Sequence, residues 1–229
     1  MQGPISRYEQ LGSQLWSPHS FSLDALRSGL QLALWGFFKK MVIADRAGIF
    51  VDSVFAPDSS AQGFVIIVGA IMYSIQIYAD FSGCVDISRG ISQCLGIDLA
   101  RNFNHPYFAV SVQDFWRRWH ISLSSWLKDY VYIPLGGSRK GMVRKYLNVL
   151  IVFAVSGLWH GTGLNYFIWG LLHGVYQIID ALTAGVRSRV YAATGVATES
   201  WSFSFGRKIA TFVAVTFAWI FFRAQSAGH

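Results

Sequence analysis

A histidine inside an uncharged apolar stretch is the residue best placed to do chemistry in this chain. His160 follows Ser156-Gly157-Leu158-Trp159 and precedes Gly161, and no Asp, Glu, Lys or Arg occurs from Tyr146 to Ile179. An ionisable group at such depth is costly and usually faces a cavity, so a function is its default reading. The bland alternative is a neutral ring bonded to a backbone carbonyl. Gly157, Gly161 and Gly163 leave room there for a close helix approach or for a ligand. His173, 13 residues further on, would point roughly away from His160 on a continuous helix and reads as structural. Asp80 reads equally as a charge at a helix terminus or as a cavity residue.

Other chemistries find no support. There is no HxxxH pair, and Cys84 and Cys94 are remote in sequence from any histidine, so no metal site is expected and the thiols read as free. No Walker loop, dinucleotide fingerprint or GxSxG elbow is present. Without a nucleophile motif, a histidine base acting on two bound reactants is simpler than a covalent acyl-enzyme.

A second notable segment covers residues 101–141. Ser111, followed three residues later by Asp114, forms a capping-box pattern that predicts a helix start. Phe115, Trp119, Ser122, Trp126 and Tyr130 then recur at helical spacing as one aromatic face, with Trp116, His120, Leu123 and Leu127 beside it. One helix is expected, ended by Pro134, Gly136 and Gly137. With Arg117, Arg118 and Lys128 on it, this helix suits a membrane interface or a protein-lined funnel better than bare lipid. The stripe reads either as packing plus an interfacial belt or as part of a site. The two arginines would contact lipid phosphate or a phosphate-bearing donor, such as a coenzyme or carrier arm.

The elements that must hold these residues are membrane spans. Of 229 residues, 53% are hydrophobic and only 14% charged, well below the roughly 25% of soluble domains. That composition excludes disorder, collagen and disulfide scaffolds. It also argues against nucleic-acid binding despite a net charge of +7, because the basic residues sit between long uncharged runs. Residues 59–79, apolar from Phe64, predict one span. The stretch from Tyr146 to Ile179 predicts two helices meeting near Gly161–Asn165, and Ile209 to Phe222 predicts another. Leu23 to Ala44 is weaker, because Lys39 and Lys40 interrupt its end; it reads as a span with snorkelling lysines or as an interfacial helix.

Eight basic residues between 100 and 150 face only Asp114 and Asp129, so this segment holds +6 of the net charge. The positive-inside rule places the loop from Arg139 to Lys145 in the cytoplasm, with Arg187, Arg189, Arg207 and Lys208 returning to that side after two spans. Anionic lipid would attract both clusters. Residues 1–15 are too polar for a cleavable signal, and the abrupt ends suggest a fragment, read as one partial domain over 1–229.

FWRRWHISLSSWLKDYVYIPLGG (Phe115 to Gly137) followed by SGLWHG (Ser156 to Gly161) closely resembles the membrane-bound O-acyltransferase (MBOAT) family, in its bacterial alginate O-acetyltransferase and D-alanyl-transfer branch. QGPISRYEQL (Gln2 to Leu11) and YADFSGCVDISRGIS (Tyr78 to Ser92) resemble the same branch. The resemblance implies an all-α, multi-pass fold with a central funnel or tunnel in the bacterial cytoplasmic membrane. It also implies His160 as catalytic residue, with His120 as the second polar residue. The implied reaction is transfer of an acyl group, acetyl first, to hydroxyls of an extracytoplasmic polysaccharide as in alginate biosynthesis. Acetyl-CoA or an acylated carrier protein would be the thioester co-substrate, with no permanently bound cofactor.

Arg117, Arg118, Trp116 and Trp119 are the candidate donor-binding residues. The implied partners are the bilayer, a polysaccharide or teichoic acid acceptor, and a carrier protein or extracytoplasmic acyltransferase. D-alanyl transfer to teichoic acid and a histidine-relay transporter are the competing readings.

Overall fold

The structure, a computed structural model, describes residues 4–224; Gln2 and Gly3 of the first resembling motif lie outside them. The described residues are helical and contain no β-strand. Contacts divide the chain between Phe103 and Asn104 into two compact units.

The first unit contains α1 (Tyr8–Trp16), α2 (Leu23–Phe37), a π-helical segment (Phe38–Ala44), α3 (Asp45–Val54) and α4 (Phe64–Cys94). Ser22 caps α2 by accepting a hydrogen bond from the Ala25 amide at 3.3 Å. The span expected to begin at Phe64 does begin there, and α4 runs on for 31 residues. At 1.5 Å per residue that is about 46 Å, longer than the roughly 30 Å hydrocarbon core.

Glycines bring α2 and α4 together in opposite directions. A Cβ on Gly29 would sit 2.5 Å from the Gly90 carbonyl oxygen, and one on Gly36 would sit 2.6 Å from that of Gly83. Each pair is therefore in backbone contact. This is how helices associate where lipid removes the hydrophobic drive.

The reading of Lys39 and Lys40 as snorkelling is corrected here. The π-helical segment turns both ammonium groups onto α4. The Lys39 Nζ is buried and donates to Asp86 Oδ2 at 2.6 Å and to Ser82 Oγ at 3.0 Å. The Lys40 Nζ lies 2.8 Å from Asp45 Oδ1 and 2.7 Å from Asp80 Oδ1. The hydrogen bond to Asp45 leads the causes that push the Lys40 pKa above its ordinary value. Asp80 is thus an ion-pair partner in the middle of α4 rather than a charge at its end. The expected stretch from Leu23 to Ala44 is unbroken helix, since α2 runs on through the π-helical segment into α3. Gln14 closes the unit, accepting from the Asp98 amide at 2.7 Å and donating to its carbonyl at 3.1 Å.

The second unit contains a 3-10 turn (Pro106–Phe108), α5 (Val112–Arg118), α6 (Ile121–Leu127) and a π-helical segment (Lys128–Tyr132). It continues through α7 (Met142–His160), α8 (Leu164–Thr194) and α9 (Trp201–Arg223). Helices α4, α7, α8 and α9 are each long and apolar enough to cross a membrane. The expected break in the uncharged run is Gly161–Gly163, and α7 and α8 form a hairpin across it. Gly157 and Gly170 hold that hairpin, because a Cβ on either would collide with the facing backbone, at the Tyr166 and Phe153 carbonyl oxygens respectively.

The capping box is present, with a shift of partner. Ser111 Oγ accepts from the Asp114 amide at 3.1 Å, while Asp114 Oδ2 accepts from the Val110 amide at 3.1 Å.

The helix it starts is shorter than expected. Instead of running on to the proline and glycines, it stops at Arg118. Trp119 is extended (φ −106°, ψ 129°) and His120 is left-handed (φ 44°, ψ 54°) before α6 begins. A left-handed non-glycine residue costs about 1–2 kcal/mol, which the surrounding packing must offset. The expected aromatic face is therefore split. Phe115 and Trp119 stack at 5.4 Å in one part, and Trp126 and Tyr130 meet at 5.1 Å in the other.

The glycine contacts yield a direct comparison. Gly29→Leu or Gly36→Leu should destabilise the protein by about 1–3 kcal/mol or more, through overpacking against backbone that cannot move aside. Gly185 and Gly206 face open space on α8 and α9. Alanine at these two positions should leave stability unchanged or raise it by about 0.5–1 kcal/mol. Thermal unfolding of the purified protein in detergent distinguishes the two sets.

Candidate functional site

His160 is the last residue of α7, half-buried, with two rings set edge-on against it. Trp169 of α8 lies at 5.2 Å and 89°, and Phe222 of α9 at 5.2 Å and 74°. Trp169 also stacks on Trp219 at 5.5 Å, and Trp219 meets Phe222 at 5.2 Å. Two helices thus wall with apolar ring surface an imidazole carried by a third. The end of α9 is held near the start of α8 by Asn165 Nδ2, which donates to the Ala224 carbonyl at 2.9 Å.

His120 is buried between α5 and α6. Burial lowers its pKa from 6.5 to about 3, and the charge of His160 acts in the same direction. The left-handed backbone at His120 separates α5 from α6.

His173 takes the structural place expected of it. It is fully buried, and its Nδ1 accepts a hydrogen bond from Trp116 Nε1 at 3.2 Å. An indole N–H only donates, so Nδ1 carries no proton and the neutral ring holds its hydrogen on Nε2. Phe115, Phe153, Trp169 and Trp219 surround it at 5.2–6.3 Å.

The four candidate donor-binding residues separate. Trp116 and Arg117 border a cavity of about 660 Å³ formed by α5, α6, the second π-helical segment, α7 and α8. Arg118 instead pairs with Asp114 at 2.9 Å, and Trp119 is buried against Phe115 and Trp219. Neither His160 nor His120 lines that cavity. Trp169, Trp219 and Phe222 are site residues that sequence reasoning missed, because nothing in their spacing relates them to His160. Among the described residues no cluster of His, Cys, Asp and Glu could hold a metal ion, and both cysteines are free.

The pattern of buried imidazoles and membrane-length helices coincides with a family match. The family model described as MBOAT, membrane-bound O-acyltransferase, matches residues 1–222. The chain belongs to this family. Among curated proteins it is 38% identical over 224 residues to a probable alginate O-acetylase of Pseudomonas syringae, covering 98% of this chain and 41% of the relative. It is 40% identical over 229 residues to a peptidoglycan O-acetyltransferase of Helicobacter pylori, covering 98% and 41%. A teichoic acid D-alanyltransferase of Bacillus subtilis is 30% identical over 187 residues, covering 76% and 46%. The chain therefore spans less than half the length of these relatives. As a member of a membrane family with four membrane-length helices, it is a multi-pass membrane protein.

The burial of His120 has a pH signature. Folded, its pKa is about 3; unfolded, it is near 6.5. Its contribution to stability is therefore complete above pH 6.5 and is lost as pH falls from 6.5 toward 3. Apparent melting temperature should fall across that window. In His120→Asn the dependence should be shallower by about one proton, read from the slope of unfolding free energy against pH.

Proposed function

We propose that this protein is a membrane-embedded O-acyltransferase. It moves an acyl group, acetyl in the first instance, from a thioester donor toward hydroxyls of an extracytoplasmic polysaccharide. The observation that carries the reading is His160 at the end of a membrane-length helix, held edge-on between Trp169 and Phe222 in a chain of this family. An imidazole walled by aromatic rings, in a chain of this family, suits proton transfer better than packing alone.

In the proposed reaction, neutral His160 takes the proton of the acceptor hydroxyl as that oxygen attacks the thioester carbonyl. His120, kept neutral by burial, orients the acceptor or donates a hydrogen bond to the developing oxyanion. The carbon–sulfur bond then breaks, the imidazolium returns its proton to the leaving thiolate, and the acyl ester is left on the acceptor. The aromatic wall excludes water that would otherwise hydrolyse the thioester. Trp116 and Arg117 would contact the donor from the neighbouring cavity.

The relatives' names support a glycan acceptor, alginate or peptidoglycan, and the D-alanyltransferase supports D-alanyl transfer to teichoic acid as a second reading. Placing the basic segment of residues 101–145 on the cytoplasmic face of the cell membrane brings the donor, acetyl-CoA or an acylated carrier protein, to one side. The acceptor, or an extracytoplasmic partner enzyme, would meet the acyl group from the other.

The test uses the whole polypeptide in native membranes supplied with labelled acetyl thioester. His160→Ala should reduce transfer of label to polysaccharide by at least about a thousandfold, the upper part of the range for loss of a general base. Its membrane insertion and melting temperature should stay close to the parent's. Full activity in His160→Ala overturns the assignment, and label that only crosses the bilayer supports the transporter reading instead.

A further inference from the structure

Hydroxyls on the helices of this chain commonly bond to their own backbone. Ser28, Ser74, Ser88, Thr183, Thr194 and Thr211 each donate to the carbonyl four residues earlier, at 2.7–3.1 Å. Ser156 of α7 departs from that pattern. It is 1% exposed, and its hydroxyl has no hydrogen-bond partner among the described residues. A buried donor left without an acceptor is costly, so this position calls for an acceptor that the helix itself does not supply.

Two placements indicate which acceptor that is. Ser156 borders the cavity that Trp116 and Arg117 also border. It also stands four residues before His160 on the same helix. Residues at this spacing share one face, with Cβ atoms about 5–6 Å apart. Helical side chains lean toward the N-terminus, so the His160 ring leans back over the turn that carries Ser156. Neither imidazole lines the cavity, but through Ser156 the cavity comes within one helical turn of His160.

We infer that Ser156 is a further catalytic residue, whose hydroxyl donates a hydrogen bond to the carbonyl oxygen of the acyl thioester. The inference rests on the proposed roles of His160 as base and of the cavity as the donor's place. As the acceptor oxygen attacks, the carbonyl π pair moves onto the carbonyl oxygen, and the serine O–H stabilises the negative charge that develops there. When the carbonyl re-forms and the carbon–sulfur bond breaks, the hydroxyl still holds its proton. The acceptor's proton travels through His160 to the leaving thiolate. Ser156 is therefore a donor and not a nucleophile, and no acyl-serine forms. A hydroxyl tied to its own helix would have to break that bond in order to serve, whereas Ser156 has none to break.

The whole polypeptide in native membranes is supplied with labelled acetyl thioester, with His160→Ala assayed alongside. Ser156→Ala should lower kcat about a hundredfold and leave KM nearly unchanged, because the hydrogen bond strengthens only as charge develops. Its melting temperature in detergent should stay level or rise, since the free protein loses no bond. Ser74→Ala, which removes a buried hydroxyl bonded to its own helix, should leave kcat unchanged. Undiminished kcat in Ser156→Ala, or a loss matched by a fall in melting temperature, overturns the inference while the loss in His160→Ala stands. Label found covalently on Ser156 of the parent by mass spectrometry overturns it in favour of an acyl-enzyme. Full activity in His160→Ala overturns the inference together with the reading it rests on.

Discussion

Helices surrounded by lipid are not pushed together by water, so each pair must be held by contacts made between the helices themselves. In this protein those contacts are backbone on backbone, at Gly29 with Gly90 and Gly36 with Gly83 in the first unit. Gly157 and Gly170 do the same in the second. The second set has the larger functional reach. It closes the α7–α8 hairpin next to His160 and thereby brings Trp169 against that ring. A side chain at Gly157 would separate the two helices at the point where the histidine depends on their contact.

Polar groups obey the same constraint from the other side. Where α4 carries Asp80 and Asp86 through its length, Lys39 and Lys40 answer both. Where Trp116 buries an indole N–H, His173 accepts it. Isolated charge or an idle donor is expensive in apolar surroundings, so its pairing fixes which face each helix shows its neighbour. His160 differs in being enclosed by ring edges, those of Trp169 and Phe222.

Much of this was legible in the sequence because it depends on local signals. Uncharged runs gave the spans, Gly161–Gly163 gave the hairpin, and Ser111 with Asp114 gave a helix start. The misreadings have two causes. The aromatic periodicity of residues 115–130 continues across a helix break, because Trp119 and His120 leave the helix while their side chains stay buried. Periodicity reports burial, not continuity of hydrogen bonding. Lys39 and Lys40 were read against lipid because their partners lie in a helix some 40 residues away. Trp219 and Phe222 lie some 60 residues from His160, and Trp169 lies across the helix break, so no spacing relates them to it.

The π-helical segment at Phe38–Ala44 has a consequence for how this stretch can vary. It winds more residues into each turn than an α-helix does, and that surplus directs two adjacent lysines to separate carboxylates on α4. Loss of a single residue there would restore ordinary winding and rotate everything downstream by roughly a quarter turn, so that one ammonium would lose its acid. The number of residues in this stretch therefore matters to the fold as much as the two lysines it carries.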